Sequence, residues 1–432
     1  MNTVLFIIYN IFLYPAFLFI ILILSIFNKK IRKGFAGRIG VVKYLKQHFN
    51  KNTINNNIIW FHCSSYGEYL QAEPVINNLK IKNKKLKILV SFFSPSGYFN
   101  THNQNIDCKI FMPFDFFWTI NSVFNIVNPT AIVLANNDLW FNFLWVAKRR
   151  SIKTFLFGAQ TKIFFNNKFS FTYYFYKPIY SWFTKIFVIN EDDLISIEKY
   201  VSRSDTKNII VTGNPRFDQV INSSSKINAA NKVKIEKRED IFILSSMHKE
   251  DRNMFLSQTI SFMKEFNDLK IIWASHEPSE QENRYLSNVF KRNNLSVKII
   301  ESLNDIDNVS TKVTIVNTVG ILSELYWKSK LAYIGGGFSS GVHNLMEPAI
   351  AGIPTIFGPN YKKFKEAIEI VGLHAGHSIK KRLDFKNLIT SYFCDEKKLI
   401  TAGKAATEIV IAHSGASKKI VDQILLNKNK II

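Results

Sequence analysis

Only three cysteines occur in the 432 residues, Cys63, Cys108 and Cys394, and no two of them form a CxxC pair. That counts against a zinc ribbon and against a disulfide framework, and it fits a reduced compartment. No dense group of histidines, cysteines and carboxylates appears at metal-ligand spacing, so no metal site is expected. The chain also lacks a GxGxxG stretch, which disfavours a dinucleotide site. Acids are scarce: 33 Asp and Glu stand against 56 Lys and Arg, a formal net charge of +23. Such an excess points to nucleic acid, an anionic membrane surface or an acidic substrate. The cations are scattered, with no Arg-rich arm and no basic patch interleaved with aromatics, so nucleic acid is the least favoured partner.

One long apolar run stands out, Val4–Phe27, broken only by Tyr9, Asn10, Tyr14, Pro15 and Ser25. About 20 apolar residues suffice to cross a bilayer as a helix. No basic residue precedes the run and no small-residue cleavage site follows it, so residues 1–28 read as a retained membrane anchor and not as a secretory signal. Lys29, Lys30, Arg32, Lys33 and Arg38 come next. By the positive-inside tendency, that end and all that follows belong on the cytoplasmic side of an inner membrane, as a single-pass protein. The alternative is a hairpin or interfacial helix bent at Pro15.

Beyond the anchor, short β-branched and aromatic runs recur. They are Ile58–Cys63, Lys87–Phe93, Ala131–Ala135, Lys153–Phe157, Lys185–Ile189 and Ile209–Thr212, then Ile241–Ser245, Lys270–Ala274, Val313–Val316, Leu331–Ile334 and Pro354–Phe357. Unbroken apolar runs mark strands buried on both faces, and their alternation with helical stretches predicts parallel sheets in two doubly wound α/β domains. The Ser-, Asn- and Lys-rich stretch 222–240 has no apolar run and reads as a linker between domains 29–221 and 241–432. Ligands of such sheets sit at the carboxyl ends of the strands, which makes the cleft between two facing domains the default site.

Several motifs fall at strand ends. Gly335–Pro348 (GGGFSSGVHNLMEP) follows a strand and leads into a helix expected at 345–351. Its glycines permit tight turns that bring amide N–H groups to a ligand, and a helix N-terminus favours phosphate. Glu347 is placed to accept from a ribose. His62–Glu68 (HCSSYGE) closes the first strand, where Glu68 is well placed to take a proton from an attacking hydroxyl; an ordinary acid at a helix start is the competing reading. Arg216 in GNPRFD, His248 in SSMHKED and His276 in ASHE are candidates to contact a phosphate. Glu191-Asp192-Asp193 resembles a metal-binding acidic motif, but Asn190 before it and a helical pattern after it read as a cap with first-turn acids.

Taken together these motifs resemble one family, the Kdo transferases of lipopolysaccharide synthesis (glycosyltransferase family 30). Ten stretches carry the resemblance in order: HCSSYGE (62–68), FFSPSGY (92–98), MPFD (112–115), DLWFNFL (138–144), GNPRFD (213–218), SSMHKED (245–251), ASHE (274–277), NTVGILSELY (317–326), GGGFSSGVHNLMEPA (335–349) and FGPNYKKFKEA (357–367). The resemblance implies two Rossmann-like domains of GT-B type: an acceptor domain over 29–221 and a CMP-sugar domain over 241–432, behind an N-terminal transmembrane helix. It implies inverting, metal-independent transfer of Kdo from CMP-Kdo, a substrate, to a lipid A precursor, with no cofactor. Glu68 becomes the general base. Arg216, His248, His276, Gly336, Gly337, Gly341, His343, Asn344 and Glu347 fall to the donor. Ser65, Gly67, Ser96 and Asp138 fall to the acceptor or sugar pocket, with acceptor docking assisted by Arg32, Lys33 and Phe35 near the membrane. Departures from the family pattern occur at Asn136 and Asn137, at Gly158-Ala159-Gln160, at Met247 and at Ser275. They leave two other readings open: a GT-B enzyme using a UDP-sugar, and a degenerate membrane-bound binding protein.

Overall fold

In the computed structural model, which describes residues 2–49, 57–159, 171–227, 232–305 and 311–428, each apolar run named above is a strand of a parallel sheet. The strands of the first unit are β1 (Ile58–Cys63), β2 (Lys87–Phe92), β3 (Cys108–Phe111), β4 (Ala131–Ala135), β5 (Lys153–Ala159), β6 (Lys185–Val188) and β7 (Ile209–Val211). Those of the second are β8 (Ile241–Met247), β9 (Lys270–Ser275), β10 (Val297–Ile300), β11 (Val313–Val316), β12 (Leu331–Ile334), β13 (Thr355–Phe357) and β14 (Gly376–Ser378). The orders are β3-β2-β1-β4-β5-β6-β7 and β10-β11-β9-β8-β12-β13-β14. Each sheet is therefore doubly wound, reversing direction between β1 and β4 in one and between β8 and β12 in the other. Carboxyl-end crevices at those two reversal points are where ligands of such sheets bind.

The chain divides into residues 1–219 with 414–432 and residues 220–413. This differs from the expected boundaries at both ends of the second domain. The last helix, Ala416–Lys428, belongs to the first unit, where Ile420, Val421 and Ile424 are wholly buried in the same cluster as Ile59, Ile76 and Leu79. Burying such side chains is worth roughly 1.5–3 kcal/mol each, which explains why the chain ends on the first sheet. Asp218 ties the same segment down by accepting from the Ser417 N–H at 2.7 Å. The stretch expected as a linker is structured at both of its ends. A helix, Pro215–Lys226, runs into it, and Ile235 and Arg238 are buried in the second unit. Arg238 donates to the carbonyls of Ser329 and Ala351, each at 2.8 Å, and burial lowers its pKa to about 10.

At the N-terminus, α1 (Asn2–Ile8), a single π turn (Tyr9–Leu13) and α2 (Tyr14–Phe27) continue one another. Over Thr3–Phe27 this makes one helix long and apolar enough to cross a membrane. A basic helix, α3 (Lys29–Arg38), follows, capped by the Asn28 side chain, which accepts from Lys30 N–H at 2.9 Å.

Candidate functional site

The first unit builds its site at the β1/β4 reversal. Ser65 caps the helix Tyr66–Lys82, and Glu68, in its first turn, bends back to accept from the Ser64 N–H. Glu68 thus has the position of the competing reading, an acid at a helix start, and caps the turn as well. Burial nevertheless raises the Glu68 carboxyl above the ordinary carboxylate range, with the nearby Asp138 charge adding to the effect and the Ser64 hydrogen bond opposing it. A carboxyl whose pKa is raised, at the end of β1, is suited to exchanging a proton with a hydroxyl.

Asp138 stands after β4 and accepts from Trp140 Nε1 at 3.1 Å. Its Oδ2 also meets His62 Nε2 at 2.9 Å, while His62 Nδ1 meets Ser91 Oγ at 2.9 Å. His62 is wholly buried on β1, so it orients Asp138 and does not touch a ligand itself. The sequence reading named Asp138 but missed this partner; a histidine alternating with apolar residues on a predicted strand was the available signal. Ser96 bonds Ser94 at 2.9 Å, and the Ser94 N–H donates to the Ser64 carbonyl at 2.7 Å, which ties the β1 and β2 loops together.

Gly67 has no steric role within the unit, since an added Cβ would meet nothing nearer than Ser65 Oγ at 3.9 Å. Gly337 is the opposite case, with Gly358 N only 2.4 Å from where a Cβ would be. We expect Gly337→Ala to lower the melting temperature by an amount worth about 1–3 kcal/mol, as overpacking does. Gly67→Ala should leave stability unchanged or slightly raised, so any activity it loses reports a ligand contact. Equal melting curves for the two variants would contradict this reading.

The second unit builds its site at the β8/β12 reversal. Its organiser is Asp251, a residue that sequence reasoning quoted without giving it a role. Wholly buried, Asp251 accepts from the Tyr333 hydroxyl at 2.6 Å, the Gly336 N–H at 2.8 Å and the His248 N–H at 3.1 Å. The Gly336 amide is thereby occupied, which corrects the expectation that it is free to cradle a ligand. Gly336 and Gly341 adopt positive φ, 88° and 127°, and a Cβ on Gly336 would meet the Gly341 carbonyl at 2.3 Å. These glycines let the loop fold on itself and turn His343 outward. The helix that follows is shorter than expected, Met346–Ile350, and a helix of five residues contributes little dipole. Just before it, the Asn344 side chain accepts from Met346 N–H at 3.1 Å and donates to Glu347 Oε1 at 2.7 Å.

His248, His276 and His343 come together. His248 Nε2 and His343 Nε2 are 2.7 Å apart, and His276 stacks on both rings at 4.4 Å. Their nitrogens lie within 4.8 Å of one another, near enough to share an ion. The ring planes, however, are only 14–30° from parallel. Lone pairs lie in those planes, so stacked rings do not aim three of them at one point as tetrahedral coordination requires. Burial and the neighbouring histidines lower the His343 pKa to about 4 and also lower that of His276. Beside them opens a cleft of about 590 Å³ lined by Lys249, Arg252, Glu277 and Tyr285 among others. Of these, Lys249 and Glu277 fall within motifs quoted from sequence, and Arg252 and Tyr285 do not. Arg252 lies over the Tyr285 ring at 5.0 Å, with its guanidinium paired to Glu282 at 2.5 Å.

Arg216 belongs to the first unit, whereas the other donor candidates belong to the second. Asn190 caps its helix by accepting from Asp193 N–H at 3.1 Å, as expected. Among the departures, Asn136 takes a positive φ of 55° and packs against Gly158, whose Cβ position lies 2.6 Å from Asn136 Oδ1. Ala159 extends β5, and Gln160 lies outside the described residues. Phe35, expected near the acceptor, packs on Phe114 with ring centroids 5.3 Å apart.

Residues 33–219 match the profile of the 3-deoxy-D-manno-octulosonic-acid transferase (kdotransferase) family. Curated relatives extend the likeness into the second unit. A 3-deoxy-D-manno-octulosonic acid transferase of Aquifex aeolicus is 25% identical over 82% of this chain and 92% of its own length. One of Haemophilus influenzae is 22% identical over 94% of each. Among solved structures, the UDP-GlcNAc 2-epimerase of Neisseria meningitidis bound to UDP-GlcNAc superposes with a TM-score of 0.61 at 15% identity, over 85% of this chain and 99% of that one. At that identity the likeness establishes the two-domain fold alone. With the profile matching most of the first unit and named transferases aligning through the second, the chain is similar to Kdo transferases along most of its length.

Proposed function

We propose that the protein transfers Kdo from CMP-Kdo to a lipid A precursor of the lipid IVA type, at the cytoplasmic face of an inner membrane. The observation that carries this reading is the raised, half-buried Glu68 carboxyl at the β1/β4 reversal, beside Asp138 and its buried histidine. Glu68 takes the proton of the attacking sugar hydroxyl as its oxygen bonds to the anomeric carbon. CMP departs from the opposite side with the electrons of the broken bond, so configuration inverts. The leaving phosphate is met by hydrogen bonds from the imidazoles of His248, His276 and His343 and by the charge of Lys249, which supports chemistry without a metal ion. Asn344 and Glu347 address the ribose, and Ser65, Gly67, Ser96 and Asp138 the acceptor or the sugar acid.

Donor specificity is tested by titrating the purified chain with CMP and with UDP. CMP is expected to raise the melting temperature and UDP to have little effect; the reverse order assigns the chain to a UDP-sugar enzyme instead. The histidines add a pH signature. The pKa values of His276 and His343 are depressed in the fold, so the unfolded chain binds more protons below pH 6.5, and stability falls as pH drops from 6.5 toward 4. A phosphate among them favours the charged form, so CMP binding should take up protons and tighten across that same window. Calorimetry in buffers of different ionisation enthalpy measures the uptake, and CMP affinity independent of pH would contradict the placement.

A further inference from the structure

Three of the residues that interrupt the apolar helix, Tyr9, Asn10 and Tyr14, are not incidental, because each has a partner elsewhere on the first unit. The Tyr9 hydroxyl donates to Asp115 Oδ2 at 2.8 Å, and the Tyr14 hydroxyl accepts from the Asp115 N–H at 2.7 Å. Asn10 and Asn142 exchange amide hydrogen bonds of 3.0 and 2.9 Å. Asp115, 1% exposed, also accepts from the N–H groups of Asn142 and Phe143. The π turn at Tyr9–Leu13 lies within this network, and its extra residue brings Tyr9 and Tyr14, five apart, onto the same face. Tyr9 stacks on Phe141 at 5.0 Å and Phe6 meets Phe117 at 5.4 Å, so the docked face is packed as well as bonded. On the opposite face Ile11, Phe12, Phe19, Ile20, Ile26 and Phe27 are all more than half exposed.

The basic helix returns along the same path. Tyr14, Phe17 and Ile21 of α2 share a groove with Phe35 and Arg38 of α3, so α3 runs back antiparallel to α2. Arg38 is fixed there by the Phe93 carbonyl at 2.7 Å and by the Phe93 ring at 4.2 Å. Lys30, Arg32 and Lys33 remain exposed.

These contacts conflict with a crossing helix. The 25 residues Thr3–Phe27 rise about 37 Å at 1.5 Å per residue, which is enough for a hydrocarbon core of about 30 Å. The midpoint of such a span falls at Pro15, placing Tyr9–Tyr14 within about 10 Å of the bilayer centre. The loop that carries Asp115 and the helix start at Asn142 would then be immersed in lipid, and Arg32 and Lys33, running back beside α2, would follow. Exposed loop backbone and unpaired cations are not tolerated at that depth. A helix docked on one face, apolar on the other and flanked by exposed cations matches an interfacial segment on an anionic leaflet.

Resting on the membrane location proposed above, we infer that α1 and α2 lie within one leaflet instead of crossing the bilayer. The Asp115–Tyr9–Tyr14 and Asn10–Asn142 contacts hold them to the first unit, anionic headgroups meet Lys30, Arg32 and Lys33, and the N-terminus stays on the side of the folded units. This replaces the single-pass topology expected from length. The full chain, expressed in a Gram-negative host with a neutral hydrophilic N-terminal tag and a protease site, decides between them. The expected result is tag cleavage in inverted inner-membrane vesicles and protection in intact spheroplasts. Cleavage in spheroplasts, with the exposed Cys394 labelled by impermeant maleimide only in inverted vesicles, shows a crossing helix and overturns the inference. Recovery of the chain in the soluble fraction overturns the membrane location and this inference together. The variant K30E/R32E/K33E is expected to bind phosphatidylglycerol vesicles at least tenfold more weakly than wild type; equal binding removes the headgroup contact.

Discussion

Replacing Glu68 with Gln should reduce Kdo transfer by about 10²–10⁴-fold, the usual contribution of a general base, while leaving the fold intact. The two consequences separate because Glu68 has two roles. As a capping group it needs only an oxygen to accept the Ser64 N–H, and a glutamine amide keeps that oxygen. As a base it needs a carboxylate, and glutamine has none. Glu68→Gln is therefore expected to melt near the wild-type temperature, to bind CMP normally and to transfer almost nothing. Glu68→Ala loses the cap too and should additionally be destabilised by about 1 kcal/mol. Transfer at the wild-type rate by Glu68→Gln would leave Glu68 as a cap and nothing more.

The largest structural effect is expected from Asp251→Ala. Three donors converge on this carboxylate, from Tyr333, Gly336 and His248. Stranding a buried donor costs about 1–3 kcal/mol, and with some relaxation the total should reach about 3–5 kcal/mol. The same contacts join the end of β8 to the glycine loop after β12, so the loss should also displace His248 and weaken CMP binding more than tenfold. Asp251→Asn, which keeps one acceptor oxygen, should fall between the two on both measures. Melting curves and CMP titrations on all three proteins check this. A large stability loss with unchanged CMP affinity would place the nucleotide elsewhere in the second unit.

The sheet frame was legible because its strands are unbroken apolar runs, and only burial on two faces explains such runs. Three strands went unread: β3, an edge strand of only four residues interrupted by Lys109, and two that lack that signature. β14 is Gly376-His377-Ser378, with no aliphatic residue at all, and β10 is an edge strand whose Ile299 is exposed. The return of the last helix was hidden because an amphipathic helix shows its apolar face but not which sheet that face covers. Site residues at strand ends were found by motif, whereas their supports were not. Asp251 looks like a first-turn acid, and His62 looks like an interruption of a strand. Only coordinates show three donors meeting the first and a carboxylate meeting the second. Tyr9, Asn10 and Tyr14 read as blemishes in an anchor until their partners, more than 100 positions away, are known.

The central claim is a transfer reaction, so its most direct measurement is the product. Purified full-length protein in mixed phospholipid vesicles, supplied with CMP-Kdo and a tetra-acylated lipid A precursor and without added metal, is followed by mass spectrometry. The expected result is a precursor heavier by whole Kdo units, free CMP in equal amount, and neither in the Glu68→Gln reaction. An unmodified precursor with intact CMP-Kdo, from a protein that melts cooperatively and binds CMP, would contradict the proposed chemistry.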